Sequence, residues 1–371
     1  MTRRARSTVC CLGVAALAFL VGAAWAADAQ PSKTAPLPVR GLHMSAPGKK
    51  DVPALVAFIG GALAEEGVNT LILEFNYGFD FKSRPEFADA GALGKDEAAA
   101  IAKACREKGI ELIPQINCLG HQSWAKHTDR FLQKHPEFDE TPGKYPNNEE
   151  IYCRSYCPLH PEVHQVLFDL IDELARACEA KSFHVGMDEV FILADPDCPR
   201  CKGKSPAELF ALEVTTLHTH LASIGCRMWM WGDRFIDGKA TGIGEWEAST
   251  NGTAAAIDQV PKDIVICDWH YEKAHPTPQF FAAKGFEVVA CPWRKEEVAV
   301  GLLEHVYRVR GDADDTVAAR GLGVVQTTWC GAGPFIEAYK EVKAGNPPKK
   351  TAPAEAARCF STLFEAVRKG K

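Results

Sequence analysis

The stretch Phe183-His184-Val185-Gly186-Met187-Asp188-Glu189-Val190-Phe191 is an apolar run that stops at two adjacent carboxylates. Side chains on a strand alternate between its faces, so neighbouring acids share a site only where the strand ends and its backbone turns. That points to the mouth of a barrel or the edge of a sheet. Taken alone, an Asp-Glu dipeptide is as readily a solvated loop or a helix N-cap, so its setting has to decide.

Working outward, the chain holds eight short apolar or β-branched runs, each followed by a helix-compatible segment. They are Val39 to Ser45, Thr70 to Asn76, Glu111 to Asn117, Phe183 to Glu189, Arg227 to Asp233, Asp263 to His270, Glu287 to Trp293 and Leu322 to Trp329. Eight β/α units imply an α/β fold, a single-domain (β/α)8 TIM barrel. Segments 52–65, 95–108, 161–180, 206–223 and 296–310 place apolar residues at helical spacing. Gly67, Gly109, Gly225 and Gly285 follow helical segments as C-terminal stops. An open doubly wound sheet is the alternative, but no G-x-G-x-x-G follows the first strand.

At the N-terminus, Arg3, Arg4 and Arg6 precede an apolar stretch from Val9 to Ala24 and then Ala24-Trp25-Ala26-Ala27. This is a signal-peptide pattern. It divides the chain into a signal peptide (1–27), a Pro-rich linker (28–38) and the barrel (39–371). The protein is therefore expected to be exported to the periplasm or beyond, with no membrane attachment after cleavage. Hydrophobic residues make up 46%, charged residues 24%, and the net charge is −6. No basic stripe exists to displace counterions from a phosphate backbone, which excludes nucleic acid as a partner.

On such a barrel, chemistry comes from the C-terminal ends of the strands. The predicted ends carry Arg40 and His43, Glu74 and Asn76, Asn117 with His121, Asp188 and Glu189, Trp231 and Asp233, Asp268 to Tyr271, Trp293 and Trp329. Core packing accounts for one or two of the four tryptophans. Four on one rim fit the walls of a flat, partly apolar ligand such as a sugar ring. His184, inside an apolar strand, reads as a core histidine. His218 and His220 lie two apart on a helix, on different faces, and form no site.

The run from Phe183 to Val190 resembles the strand-four signature of glycoside hydrolase family 20, the β-N-acetylhexosaminidases, in which His-x-Gly-Gly-Asp-Glu carries the catalytic pair. Val39-Arg40-Gly41-Leu42 is similar to the family's first-strand arginine motif. Leu112 to His121 is similar to its strand-three Pro-Glu-Ile-Asp-x-Pro-Gly-His segment. The resemblance implies a carbohydrate substrate with a terminal β-linked N-acetylhexosamine, cleaved by a substrate-assisted retaining mechanism without a cofactor. It makes Glu189 the general acid/base, Asp188 the group that orients the 2-acetamido nitrogen, and Arg40, His121, Trp231, Asp268, Trp269, Tyr271, Trp293 and Trp329 the substrate-binding set. Departures are specific. Met187 replaces the second glycine, Gln115 and Asn117 replace the strand-three acids, and the Tyr-x-Asp acetamido clamp near strand seven is missing, leaving Tyr271 and Asp268 as substitutes. A glycan-binding barrel without turnover, or a glycosidase for another sugar, is the alternative. A metal-dependent barrel enzyme is disfavoured, because strand one has no H-x-H.

Of fourteen cysteines, Cys10 and Cys11 fall in the leader. Cys153-x3-Cys157 lies after strand three and Cys198-Pro-Arg-Cys201 after strand four. Two disulfides are the default for an exported chain. A tetrahedral zinc site on Cys153, Cys157, Cys198 and Cys201 is the alternative, since Cys-Pro-Arg-Cys resembles a zinc-knuckle hairpin. The single cysteines read as buried thiols.

Overall fold

The computed structural model describes Met1, residues 36–347 and residues 349–370. Apart from Met1, the signal segment lies outside the described residues, as does all of the linker except Pro36 to Pro38.

Eight parallel strands close into a barrel: β1 (Val39–Ser45), β2 (Thr70–Glu74), β3 (Glu111–Cys118), β4 (Ser182–Gly186), β5 (Arg227–Trp231), β6 (Val265–Trp269), β7 (Glu287–Cys291) and β8 (Gly321–Gly331). Each pairs with its sequence neighbour, and β8 closes on β1 in the register Val39↔Gly323 to Thr327↔His43. Closure removes the open-sheet alternative. Every expected strand is present, and most end one to three residues short of their expected C-termini, because the chain turns there into the catalytic-face loops.

The helices Lys95–Glu107, Val163–Ala177, Pro206–Ser223 and Glu296–Arg310 cover the outside, as their periodicity requires. Gly67, Gly109, Gly225 and Gly285 take the positive φ of left-handed helix stops. After β5 the pattern breaks. A four-residue helix, Gly238–Thr241, and a 3-10 segment, Thr253–Asp258, replace a full helix, and the chain between them brings Trp246 and Glu247 to the cavity at the C-terminal end of the barrel.

Strand alternation produces two cores. Val39, Ile72, Ile113, Trp229, Trp231, Val265, Cys267, Trp269, Val289, Cys291 and Val325 fill the barrel interior. Residues of opposite parity, such as Leu42, Met44, Leu71 and Ile266, pack outward under the helices. The upper interior is polar. His43 Nε2 meets Gln115 Oε1 at 3.1 Å, and Gln115 Nε2 donates to Asn117 Oδ1 at 2.8 Å. Burial outweighs that contact and lowers the His43 pKa to about 4, so its ring is neutral here.

Candidate active site

The turn after β4 places the two acids. Gly186, Met187 and Glu189 have φ of +67°, +74° and +49°, so alternation is broken and both carboxylates face one cavity. For Met187 and Glu189 this left-handed backbone costs roughly 1–2 kcal/mol each. The loop after β5 supplies the restraint. Asp233 Oδ2 accepts the backbone N–H of Glu189 at 3.0 Å, while Trp269 Nε1 donates to Asp233 Oδ1 at 3.3 Å. Arg234 Nε binds the same Asp233 carboxylate at 2.6 Å, and its far nitrogen donates to the carbonyls of Glu245 and Ala248 at 2.8 and 2.7 Å. On the other side, Gly120 leaves no room for a side chain: a Cβ there would sit 2.9 Å from the Asp188 carbonyl oxygen.

The cavity encloses about 650 Å³ at the C-terminal end of the barrel. His121 Nε2 lies 3.2 Å from Asp188 Oδ2 and 3.1 Å from Glu189 Oε2. Burial pulls the His121 pKa down, but the facing Asp188 carboxylate, with contacts to both acids, overrides it and lifts it well above 6.5. Burial also raises Glu74, with the Asp188 charge adding to it; Asn117 and Asn76 donate to Glu74 at 2.9 and 3.1 Å and oppose the rise. The Tyr152 phenol is raised by burial and by Glu189, whose side chain it meets. Opposite the acids stand Trp269, Tyr271, Trp293 and Trp329. Trp329 Nε1 donates to the Tyr271 hydroxyl at 2.6 Å, and Trp293 Nε1 to the Thr328 carbonyl at 3.0 Å, so these walls are fixed by their polar edges.

Asp188, Glu189, His121, Trp269, Tyr271, Trp293 and Trp329 therefore meet in one cavity, and Glu74 joins them. Three expected residues do not. Arg40 is the second residue of β1, at the opposite end of the barrel, and shares its outward parity with Leu42; its guanidinium donates to the carbonyls of Gly67 and Leu37 at 2.7 and 2.6 Å. Asp268 has the outward parity of β6 and is buried, accepting from Thr277 Oγ1 at 2.7 Å. It is no acetamido clamp. Trp231 is fully buried beneath the cavity, against His43, His184 and Trp329. His43 and His270 are likewise enclosed supports.

Sequence reasoning missed Trp124, Tyr152, Trp246, Glu247 and Asp129 in the lining. They lie inside long loops, where no periodicity fixes direction. Trp124 and Trp246 are 56% and 51% exposed in the structure and both pack edge-on against Tyr152, which makes an aromatic lip at the cavity mouth.

The cysteines are grouped differently from either expectation. Among the described residues all twelve carry free thiols. Cys153 turns away from Cys157 and sets its sulfur 3.5 Å from the Glu189 carbonyl. Cys157, Cys198 and Cys201 do converge, and the fourth member of their cluster is Glu140. The antiparallel bridge Asp139↔Tyr156 sets Phe138 across from Cys157 and Glu140 across from Ser155, which leaves Glu140 and Cys157 as diagonal neighbours on one face of the pair.

A closed parallel barrel with paired carboxylates in an aromatic-walled cavity at its C-terminal face has the make-up of a glycoside hydrolase. Residues 74–296 match the profile described as glycosyl hydrolase family 20, catalytic domain, and the chain belongs to that family. It is 25% identical over 267 residues to a β-hexosaminidase of Vibrio furnissii, covering 65% of this chain and 39% of the relative. Against a lacto-N-biosidase of Bifidobacterium bifidum it is 23% identical over 240 residues, 61% of this chain and 19% of the relative. The chain thus spans less than half the length of either. In fold it resembles a Flavobacterium johnsoniae chitobiase, with a TM-score of 0.61 at 18% identity over 90% of this chain and 51% of that one. A Vibrio harveyi exo-β-N-acetylglucosaminidase, solved in complex with N-acetylglucosamine, gives 0.60 at 18% identity over 91% and 57%.

Proposed function

We propose that this chain is an exported β-N-acetylhexosaminidase that removes terminal β-linked N-acetylhexosamine by substrate-assisted retention. The observation that carries the reading is the placement of Asp188 and Glu189 in one aromatic-walled cavity, both within 3.2 Å of His121 Nε2. The relatives' names, hexosaminidase, chitobiase and N-acetylglucosaminidase, agree with it. Family membership narrows the reaction to glycoside hydrolysis.

In this reading the sugar stacks on the Trp269, Trp293 and Trp329 side. Its acetamido oxygen attacks the anomeric carbon, the bond to the leaving oxygen breaks, and Glu189 delivers the proton to that oxygen, leaving an oxazolinium ion. Asp188 accepts the acetamido N–H and balances the positive charge that develops there. Water then adds at the anomeric carbon, giving its proton back to Glu189. His121 holds both carboxylates in register and supplies the compensating positive charge. With Asp268 turned away, Tyr271 is the one remaining member of the expected clamp pair that faces the cavity. Export rests on the basic and apolar leader, and N-terminal sequencing of the mature protein tests it.

The enzymatic test is hydrolysis of an aryl N-acetyl-β-glucosaminide. E189Q should lower kcat/KM by about 10²–10⁴-fold, and a better aryl leaving group should recover much of that loss, because its departure needs no proton, while kcat stays low for want of a base in the second step. Unchanged turnover in E189Q would overturn the mechanism. Absence of turnover in the wild type across several aryl glycosides would favour the glycan-binding barrel instead.

A further inference from the structure

We propose that Glu140, Cys157, Cys198 and Cys201 form a structural zinc site that clamps the loop after β3 to the loop after β4, behind the active site. One ligand atom from each lies within 4.8 Å of all the others, and all four residues are buried. The sulfurs of Cys157 and Cys201 are 3.3 Å apart and those of Cys157 and Cys198 are 3.6 Å apart. A disulfide requires about 2.05 Å. Four ligands at roughly 2.3 Å from a tetrahedral zinc stand about 3.8 Å from one another, so the thiols are spaced nearly as a zinc ion would hold them.

The carboxylate is the second, independent observation. Glu140 is fully buried; Oε1 accepts the N–H of Asp195 at 3.2 Å, and Oε2 has no hydrogen-bond partner. An unpaired buried carboxylate oxygen is costly, and a cation among the three sulfurs removes that cost. A disulfide does not. Any pairing among three cysteines leaves one thiol over, and its weak S–H donor is then all that the cluster offers the Glu140 oxygen. The local backbone is also preset for a metal-bound thiolate: within Cys198-Pro-Arg-Cys201 the N–H of Cys201 points to the Cys198 sulfur at 3.3 Å.

Three sulfurs and one carboxylate oxygen favour zinc over magnesium or calcium, which take oxygen ligands. Four protein ligands leave no open position, so the ion is structural rather than catalytic. Its two sources explain its use. Glu140 and Cys157 belong to the loop that also carries His121 and Tyr152, and Cys198 and Cys201 to the loop that begins with Asp188 and Glu189. Bound metal also shields the thiols from oxidation outside the cytoplasm.

The test is the metal content of the purified full-length chain by inductively coupled plasma mass spectrometry, with intact mass under non-reducing conditions. About one zinc per chain and fully reduced cysteines are expected. Chelation should lower Tm, and added zinc should restore it. C198S should lose the stoichiometric zinc, and E140Q should keep the thiols while weakening zinc binding about tenfold or more. If C198S does not fold, cobalt loaded into the wild type serves instead, and the intense near-ultraviolet absorption of several thiolates on cobalt is expected. Metal-free protein whose Tm ignores both chelator and zinc, a native disulfide among Cys157, Cys198 and Cys201, or cobalt without that absorption would each overturn the site.

Discussion

His270 bridges two acids at the edge of the cavity. Its Nδ1 lies 2.9 Å from Glu247 Oε2 and its Nε2 3.3 Å from Asp268 Oδ1, while the His275 ring packs at 4.9 Å. Burial lowers its pKa, but Asp268 and Glu247 outweigh burial and raise it to about 9. A histidine raised on folding stabilises fully below its unfolded pKa near 6.5, and that stability drains away as pH climbs toward 9. The loss amounts to something on the order of 3 kcal/mol. Urea unfolding of the wild type between pH 6.5 and 9 should show this decline, and H270Q should show a flatter profile; equal slopes would dismiss the assignment. At this scale, legibility depended on parity and height along a strand. Asp188 and Glu189 were readable because an apolar run ended in them. Arg40, taken from a motif match, and Asp268, taken as a stand-in for the missing clamp, were misplaced because neither argument says which face a residue takes, and both have outward parity.

Among the described residues, half of the non-glycine residues with positive φ lie at the C-terminal ends of strands: Asn76 after β2, Leu119 and His121 after β3, Met187 and Glu189 after β4, and Trp329 within β8. Such backbone persists only where neighbouring elements over-determine it. For the β4 turn, the loop after β5 provides this through Asp233, and Asn251 Nδ2 adds bonds to the carbonyls of Val190 and Phe191 at 2.8 and 3.1 Å. D233A strips the Glu189 amide of its acceptor and leaves the Arg234 cation buried. A broken buried pair costs about 3–5 kcal/mol, so D233A should unfold at markedly lower urea and lose activity even at temperatures where it stays folded. Retention of both would show that the turn holds itself. The regular elements were legible because period 2, period 3.6 and the glycine stops are local signals. Tyr152, Trp246 and the Glu140 exchange were not, since long loops are positioned by tertiary contacts rather than by pattern.

For the molecule as a whole, the barrel exists only if its last strand finds its first. Gly323 sits on that seam with φ +149°, and a Cβ there would lie 1.8 Å from the Val39 carbonyl oxygen. No shift of a side chain relieves a clash with backbone. G323A should therefore cost more than about 3 kcal/mol and sharply reduce soluble yield, whereas G61A, whose Cβ meets nothing within 4 Å, serves as the tolerated control. Comparable melting temperatures for the two variants would refute the seam argument. The count of eight β/α units made closure readable in advance, although not which strand ends would reach the cavity.

The two halves of the cavity are built on different terms. The acid side is braced through its main chain by the loops after β3 and β5, so a change there disturbs backbone, and with it the chemistry. The opposite side consists of aromatic side chains on strand ends and the loops just after them, joined by single contacts such as Trp329 to Tyr271. Apart from Trp269, whose indole is bonded to Asp233, substitutions on that side alter the shape offered to a ligand without removing a bond that holds the acids. Divergence within this lineage thus has an inexpensive direction and a costly one: what the protein grips can drift, while how it would cleave stays anchored.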